Sequence, residues 1–96
     1  MKEMRQAHGM CLVGQYVYCC AGLDGYNILK SCERFDLKNE VWTSDVPDMK
    51  LEKFSMTMMR LDQTWLYSFG GASIHFRDDL KDFEIERIDT SKLDKW

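Results

Sequence analysis

Residues 14–26 read GQYVYCCAGLDGY. A glycine opens the stretch, seven residues suited to a β-strand follow, and the run breaks at Ala21-Gly22-Leu23-Asp24-Gly25. β-Branched and aromatic side chains suit a pleated, half-buried surface, whereas glycines at a strand end permit positive φ and let a neighbouring strand approach closely. The same pattern returns at residues 63–75, QTWLYSFGGASIH. A strand that ends twice in this way points to a repeated structural unit.

Working outward from these two stretches extends the repeat. At a separation of 49 residues Glu3 meets Glu52, Met10 meets Met59, Leu12 meets Leu61, Tyr16 meets Trp65, Tyr18 meets Tyr67 and Gly22 meets Gly71. At a separation of 53, Glu33-Arg34-Phe35-Asp36 meets Glu86-Arg87-Ile88-Asp89, and at 54 Trp42 meets Trp96. The drift places about four extra residues after Gly71 and one before Trp96, and insertions of that kind belong in loops.

Each unit divides into four short strands punctuated by Gly and Asn, which predicts an all-β fold of four-stranded antiparallel sheets. The first comprises His8 to Val13, Gln15 to Ala21, Ser31 to Asp36 and Val41 to Ser44. The second comprises Ser55 to Leu61, Thr64 to Phe69, Phe83 to Asp89 and a fourth strand that begins at Trp96. Residues 78–96 also carry a partial helical stripe, at Leu80, Phe83, Ile85, Ile88 and Leu93. The match of Glu86–Asp89 to Glu33–Asp36, which precedes an Asn39 turn, decides that segment for strand. Pro47 falls where a missing N–H costs least and divides the chain into units of residues 1–47 and 48–96.

These features together resemble the kelch repeat. The residues that carry the resemblance are Val17-Tyr18-Cys19-Cys20-Ala21-Gly22 with Asp24-Gly25, then Glu33-Arg34-Phe35-Asp36 and Trp42. The second copy supplies Leu66-Tyr67-Ser68-Phe69-Gly70-Gly71, Glu86-Arg87-Ile88-Asp89 and Trp96. Two departures stand out: Ala21 replaces the first glycine of the pair, and Ile88 replaces the aromatic. Ala21 implies that only the second position, Gly22 or Gly71, has the stricter backbone requirement. The resemblance implies an incomplete kelch-type β-propeller of about two blades. Such propellers close with four to eight blades, so two blades would leave inter-blade faces exposed, open to self-association or to the rest of a larger protein.

Composition narrows the function. A net charge of −3, with 13 dispersed basic residues, lacks the basic stripe of a nucleic-acid binder. No run approaches the ~20 apolar residues of a membrane span, and Met1–Gln6 lacks the apolar region of a signal peptide, so a cytoplasmic protein without a membrane partner is expected. Cys11, Cys19, Cys20 and Cys32 crowd into the first third and read as reduced strand hydrophobes.

No catalytic or cofactor constellation is visible. His8 and Cys11 provide one metal-type spacing where structural zinc needs four converging ligands, so no metal is expected. Neither a nucleophile elbow nor a phosphate-cradling loop occurs. The expectation is therefore a non-catalytic protein-interaction module of adaptor or scaffold type, without cofactor. The alternatives are a piece of a propeller enzyme, such as a kelch-type oxidase or sugar isomerase, and a non-functional remnant. The resemblance places partner capture on the loops between the second and third strands of each blade. There the candidates are Tyr26, Asn27, His75, Phe76 and Arg77, types that include the Tyr and Arg enriched at interface hot spots.

Overall fold

A computed structural model describes residues 3–71 and 85–96 of the chain. Among these residues seven strands follow one another: β1 Gly9–Val13, β2 Tyr16–Leu23, β3 Ile28–Asp36, β4 Val41–Thr43, β5 Thr57–Leu61, β6 Trp65–Phe69 and β7 Ile85–Asp89. Among the described residues there is no helix. The strands form two antiparallel sheets in simple meander order, β1-β2-β3-β4 and β5-β6-β7. The strand reading of Glu86–Asp89 therefore holds, because β7 pairs along β6 with Leu66 opposite Ile88 and Tyr67 opposite Arg87.

Two expectations need correction. First, the repeat is not aligned at 49 residues throughout. Val13 pairs with Tyr16 in the first hairpin and Leu61 with Trp65 in the second, so the second turn contains one residue more. Before that turn the units align at 48, Gly9 with Thr57 and Val13 with Leu61, which undoes the matches Met10 to Met59 and Leu12 to Leu61. A one-residue slip matters because side chains alternate faces along a strand. Second, the loop after β2 is shorter than its glycines suggest. Gly22 and Leu23 stay in β2 and Ile28 opens β3, leaving only Asp24–Asn27 as the connection. The Trp96 indole is buried and donates from Nε1 to the Pro47 carbonyl at 2.9 Å, an apolar ring with its one donor satisfied.

The two sheets stack so that opposite faces meet. Val13, Tyr18, Cys20 and Cys32 of the first sheet join Leu66 and Ile88 of the second in one buried cluster, which Val46, Met49, Met56 and Trp96 close. In repeat terms, Tyr18 corresponds to Tyr67, yet Tyr18 faces the neighbouring sheet while Tyr67 faces outward. The contact is thus heterologous, one face of a unit against the other face of the next, as in the radial stacking of propeller blades. Backbone hydrogen bonds also cross between units, from Gly22 N–H to Lys53 O and from Ser55 N–H to Ala7 O, each 2.8 Å.

A buried ion pair recurs at the same place in each unit. Arg5 contacts Glu33 at 3.0 Å, and Lys53 pairs with Glu86. Each carboxylate also accepts a backbone N–H, Glu33 from Glu3 and Glu86 from Lys50. Arg5 Nη1 donates to the Ala21 and Ser31 carbonyls at 3.0 and 2.7 Å, tying the segment ahead of β1 to β2 and β3. These cations are buried yet paired and hydrogen-bonded, the condition under which a charge can leave water.

Candidate interaction surface

The four-residue connection Asp24–Asn27 is held by its first side chain. Asp24 Oδ1 accepts the backbone N–H of Tyr26 at 2.9 Å and of Asn27 at 2.8 Å, an Asx turn that needs no packing partner. Those two backbone hydrogen bonds pull the Asp24 carboxyl below its ordinary range. Gly25, at φ +105°, supplies the conformation the turn requires. The result is that Tyr26 stands 97 % exposed at the tip, with Asn27 exposed beside it. At the foot of the loop, Glu3, Met4, Gln6, Leu23, Asp24 and Gly25 line a groove of about 420 Å³, where Met4 is itself 82 % exposed. Tyr26 and Asn27 are thereby brought together. His75, Phe76 and Arg77 lie outside the described residues.

The open sheet faces form a second kind of surface. On the first sheet, Met10 and Leu12 are exposed on the face turned away from the second unit, and Phe35 packs on Trp42 there with ring centroids 5.2 Å apart. Phe35 and Trp42, read from the sequence as inter-blade aromatics, thus sit on the side that has no neighbouring sheet among the described residues. The outward face of the second sheet carries Met59, Leu61, Trp65, Tyr67, Phe69 and Ile85.

Sequence reasoning missed the arginine clusters, one per unit. Arg34 lies 3.8 Å from the Tyr16 ring centroid and donates to Tyr18 Oη at 3.2 Å. Its Nε and Nη2 grip Asp45 in a two-point contact of 3.0 and 2.6 Å. Burial opposes the Arg34 charge, but the hydrogen bonds to Asp45 and Tyr18 override it and hold the guanidinium protonated. Arg87 repeats the posture, 4.5 Å over Trp65 and 3.1 Å from Tyr67 Oη. The doubled Glu-Arg-x-Asp block, set against Tyr-x-Tyr and Trp-x-Tyr on the neighbouring strand, was the signal available for them.

Groups that could do chemistry are muted. No three His, Cys, Asp or Glu side chains converge on a possible metal position among the described residues. All four cysteines are free, and burial raises the thiol pKa of Cys11, Cys19 and Cys20. Burial, followed by the nearby Arg5 charge, lowers His8. A raised thiol and a lowered imidazole are both held neutral, the reverse of an activated Cys–His pair.

Antiparallel meanders stacked face to back, with a positive-φ pair at Ala21-Gly22 in β2 and at Gly70-Gly71 after β6, define propeller blades. Residues 4–50, just under half of the chain, match the family model of the kelch motif, which assigns the first unit to the kelch repeats. Among the described residues the structure holds one blade of four strands and one of three. No curated protein matches the chain.

Proposed function

We propose that this chain is a non-catalytic protein-interaction module of adaptor or scaffold type, a part of a kelch propeller that acts in the cytoplasm and needs no cofactor. The observation that carries this reading is Tyr26, 97 % exposed on a loop that Asp24 fixes from within. An aromatic ring held in water by a preorganised turn loses little conformational entropy on contact, and Tyr is enriched among the residues that dominate interface energies. Met4 and the groove at the foot of the loop extend the apolar contact. The open sheet faces supply further area, either to additional blades or to a second copy of the chain.

The test is site-specific photo-crosslinking. A benzophenone side chain is introduced at Tyr26 and, as a control, at Lys38 on the exposed turn beyond β3. The reading expects a discrete protein adduct at position 26 that is absent at 38, and at least a tenfold loss of affinity for the captured protein in Tyr26→Ala. Equal adduct patterns at both positions, or unchanged affinity in Tyr26→Ala, would overturn it.

A further inference from the structure

Strands β2 and β3 bring two thiols face to face. Cys20 stands directly opposite Cys32 in their antiparallel pairing, and both are buried, at 0 % and 3 % exposure, in the cluster that joins the two sheets. The ladder decides how close they come. Leu37 N–H donates to the Gln15 carbonyl at 2.8 Å, one step beyond the Tyr16–Asp36 pair. Hydrogen-bonded pairs therefore fall at the odd-numbered residues of β2, and Cys20–Cys32 is a non-hydrogen-bonded pair. Such pairs hold their Cα atoms about 4.5 Å apart with both side chains on one face, within the roughly 4.4–6.8 Å that a disulfide spans. Arg5 fixes the strands from the neighbouring positions, since its Nη1 joins the carbonyls of Ala21 and Ser31, each next in sequence to one of the two cysteines.

No other pairing of the four cysteines shares this geometry. Cys19 adjoins Cys20 along the strand and so points to the opposite face, with Met10 and Glu33 as its cross-strand neighbours. Cys11 lies opposite Tyr18, diagonal to Cys20 at about 7–8 Å between Cα atoms. We propose that Cys20 and Cys32 are a redox modification site, joined reversibly into one intrachain disulfide by exchange with a small-molecule disulfide such as oxidised glutathione. One cysteine, as its thiolate, attacks that disulfide and releases a small thiol. The second thiolate then attacks the protein-bound sulfur and releases the other. The chain loses two protons and two electrons, and one small-molecule disulfide becomes two thiols. Burial, followed by the hydrogen bond with Cys32, raises the Cys20 thiol well above its ordinary value, so the closed sheet resists attack and exchange proceeds while β2 is open from β3. Once formed, the bond staples β2 to β3 below the Asp24–Asn27 connection.

The experiment refolds the chain from urea in a buffer of reduced and oxidised glutathione, samples it until the composition is constant, blocks free thiols by alkylation and digests with trypsin. Cleavage after Arg5, Lys30 and Arg34 leaves Cys20 on residues 6–30 and Cys32 on residues 31–34, so the bond appears as these two peptides linked. The linked species is expected to survive in the double variant Cys11→Ala with Cys19→Ala and to vanish in Cys20→Ala. It should be at least tenfold more abundant after refolding than in the same buffer with urea retained. The thermal midpoint should rise by at least about 5 °C when the bond forms and return on reduction. Linkage of Cys32 to Cys11 or Cys19, an abundance no greater than in urea, or a lowered thermal midpoint would each overturn the proposal.

Discussion

Substituting alanine at each glycine that ends the second strand of a blade separates backbone strain from steric exclusion. Gly70 sits at φ +69° and an added Cβ would meet nothing within 4 Å. Its counterpart in the first blade is already an alanine, Ala21, at φ +60°. The cost of Gly70→Ala is then the left-handed strain of one residue, about 1 kcal/mol. Gly71 is at φ +102°, and its Cβ would stand 3.0 Å from Met56 Cβ and 3.2 Å from the Phe54 carbonyl oxygen. That φ lies beyond the left-handed helical well, so strain of roughly 1–3 kcal/mol adds to a contact the backbone cannot readily relieve. Gly22→Ala is the most severe case, at φ +98° with a Cβ 2.7 Å from the Gln6 carbonyl oxygen and 2.9 Å from His8 Cβ, in the strip where the segment ahead of β1 crosses β2. In a chain of this size 1 kcal/mol moves Tm by roughly 4–8 °C. Urea unfolding followed by tryptophan fluorescence should therefore rank the variants Gly70→Ala, Gly71→Ala, Gly22→Ala, the first losing about 1 kcal/mol and the last at least about 3 kcal/mol. Equal losses at Gly70 and Gly71, or a neutral Gly22→Ala, would refute the reasoning.

Replacing Glu86 by leucine strands the Lys53 ammonium in the interior and should cost about 3–5 kcal/mol, whereas the double replacement Lys53→Met with Glu86→Leu should recover most of that loss in the same unfolding assay. The Asp24 turn carries a pH dependence. Because hydrogen bonds from Tyr26 and Asn27 set its folded pKa below the ordinary aspartate value of about 3.9, the turn's contribution is complete above about pH 4 and is lost as pH falls through the folded value. Protection of the Tyr26 and Asn27 amides relative to their intrinsic exchange rates should accordingly persist from neutral pH to below the ordinary aspartate value of about 3.9 and be lost as pH falls through the lower folded value, and Asp24→Ala should show no such protection at any pH. On the open faces, Leu12→Ser and Trp65→Ser should lower self-association in sedimentation velocity without the stability loss of a core substitution, since Leu12 is exposed and Trp65 half-buried.

The strand pattern and the repeat were legible because alternation, the paired small residues and the Glu-Arg-x-Asp block are local features that recur. Register was less so. Met10, Leu12, Met59 and Leu61 offer an apparent match at 49 residues, and only the pairing across each hairpin shows that Gly14-Gln15 is answered by the three residues Asp62-Gln63-Thr64. The burial of Trp96 was not legible either, because the core it joins includes Val46 and Met49, distant in sequence. For the candidate surface, Asp24-Gly25 signalled the turn and hence the exposure of Tyr26. The Arg34–Asp45 contact and the repeated posture of Arg87 were harder to read, because a guanidinium stacked on a ring of the neighbouring strand depends on a register that the doubled blocks alone do not set.

The central claim is that the two units pack as successive blades, the face of the first that carries Tyr18 against the face of the second that carries Leu66 and Ile88. Nuclear Overhauser contacts from the Leu66 and Ile88 methyl groups test it most directly. The stacked arrangement predicts cross-peaks to Val13 and the Tyr18 ring of the first blade, with the Trp96 indole N–H protected by its bond to the Pro47 carbonyl. Cross-peaks confined to residues of the second unit, with a freely exchanging Trp96 indole, would contradict it.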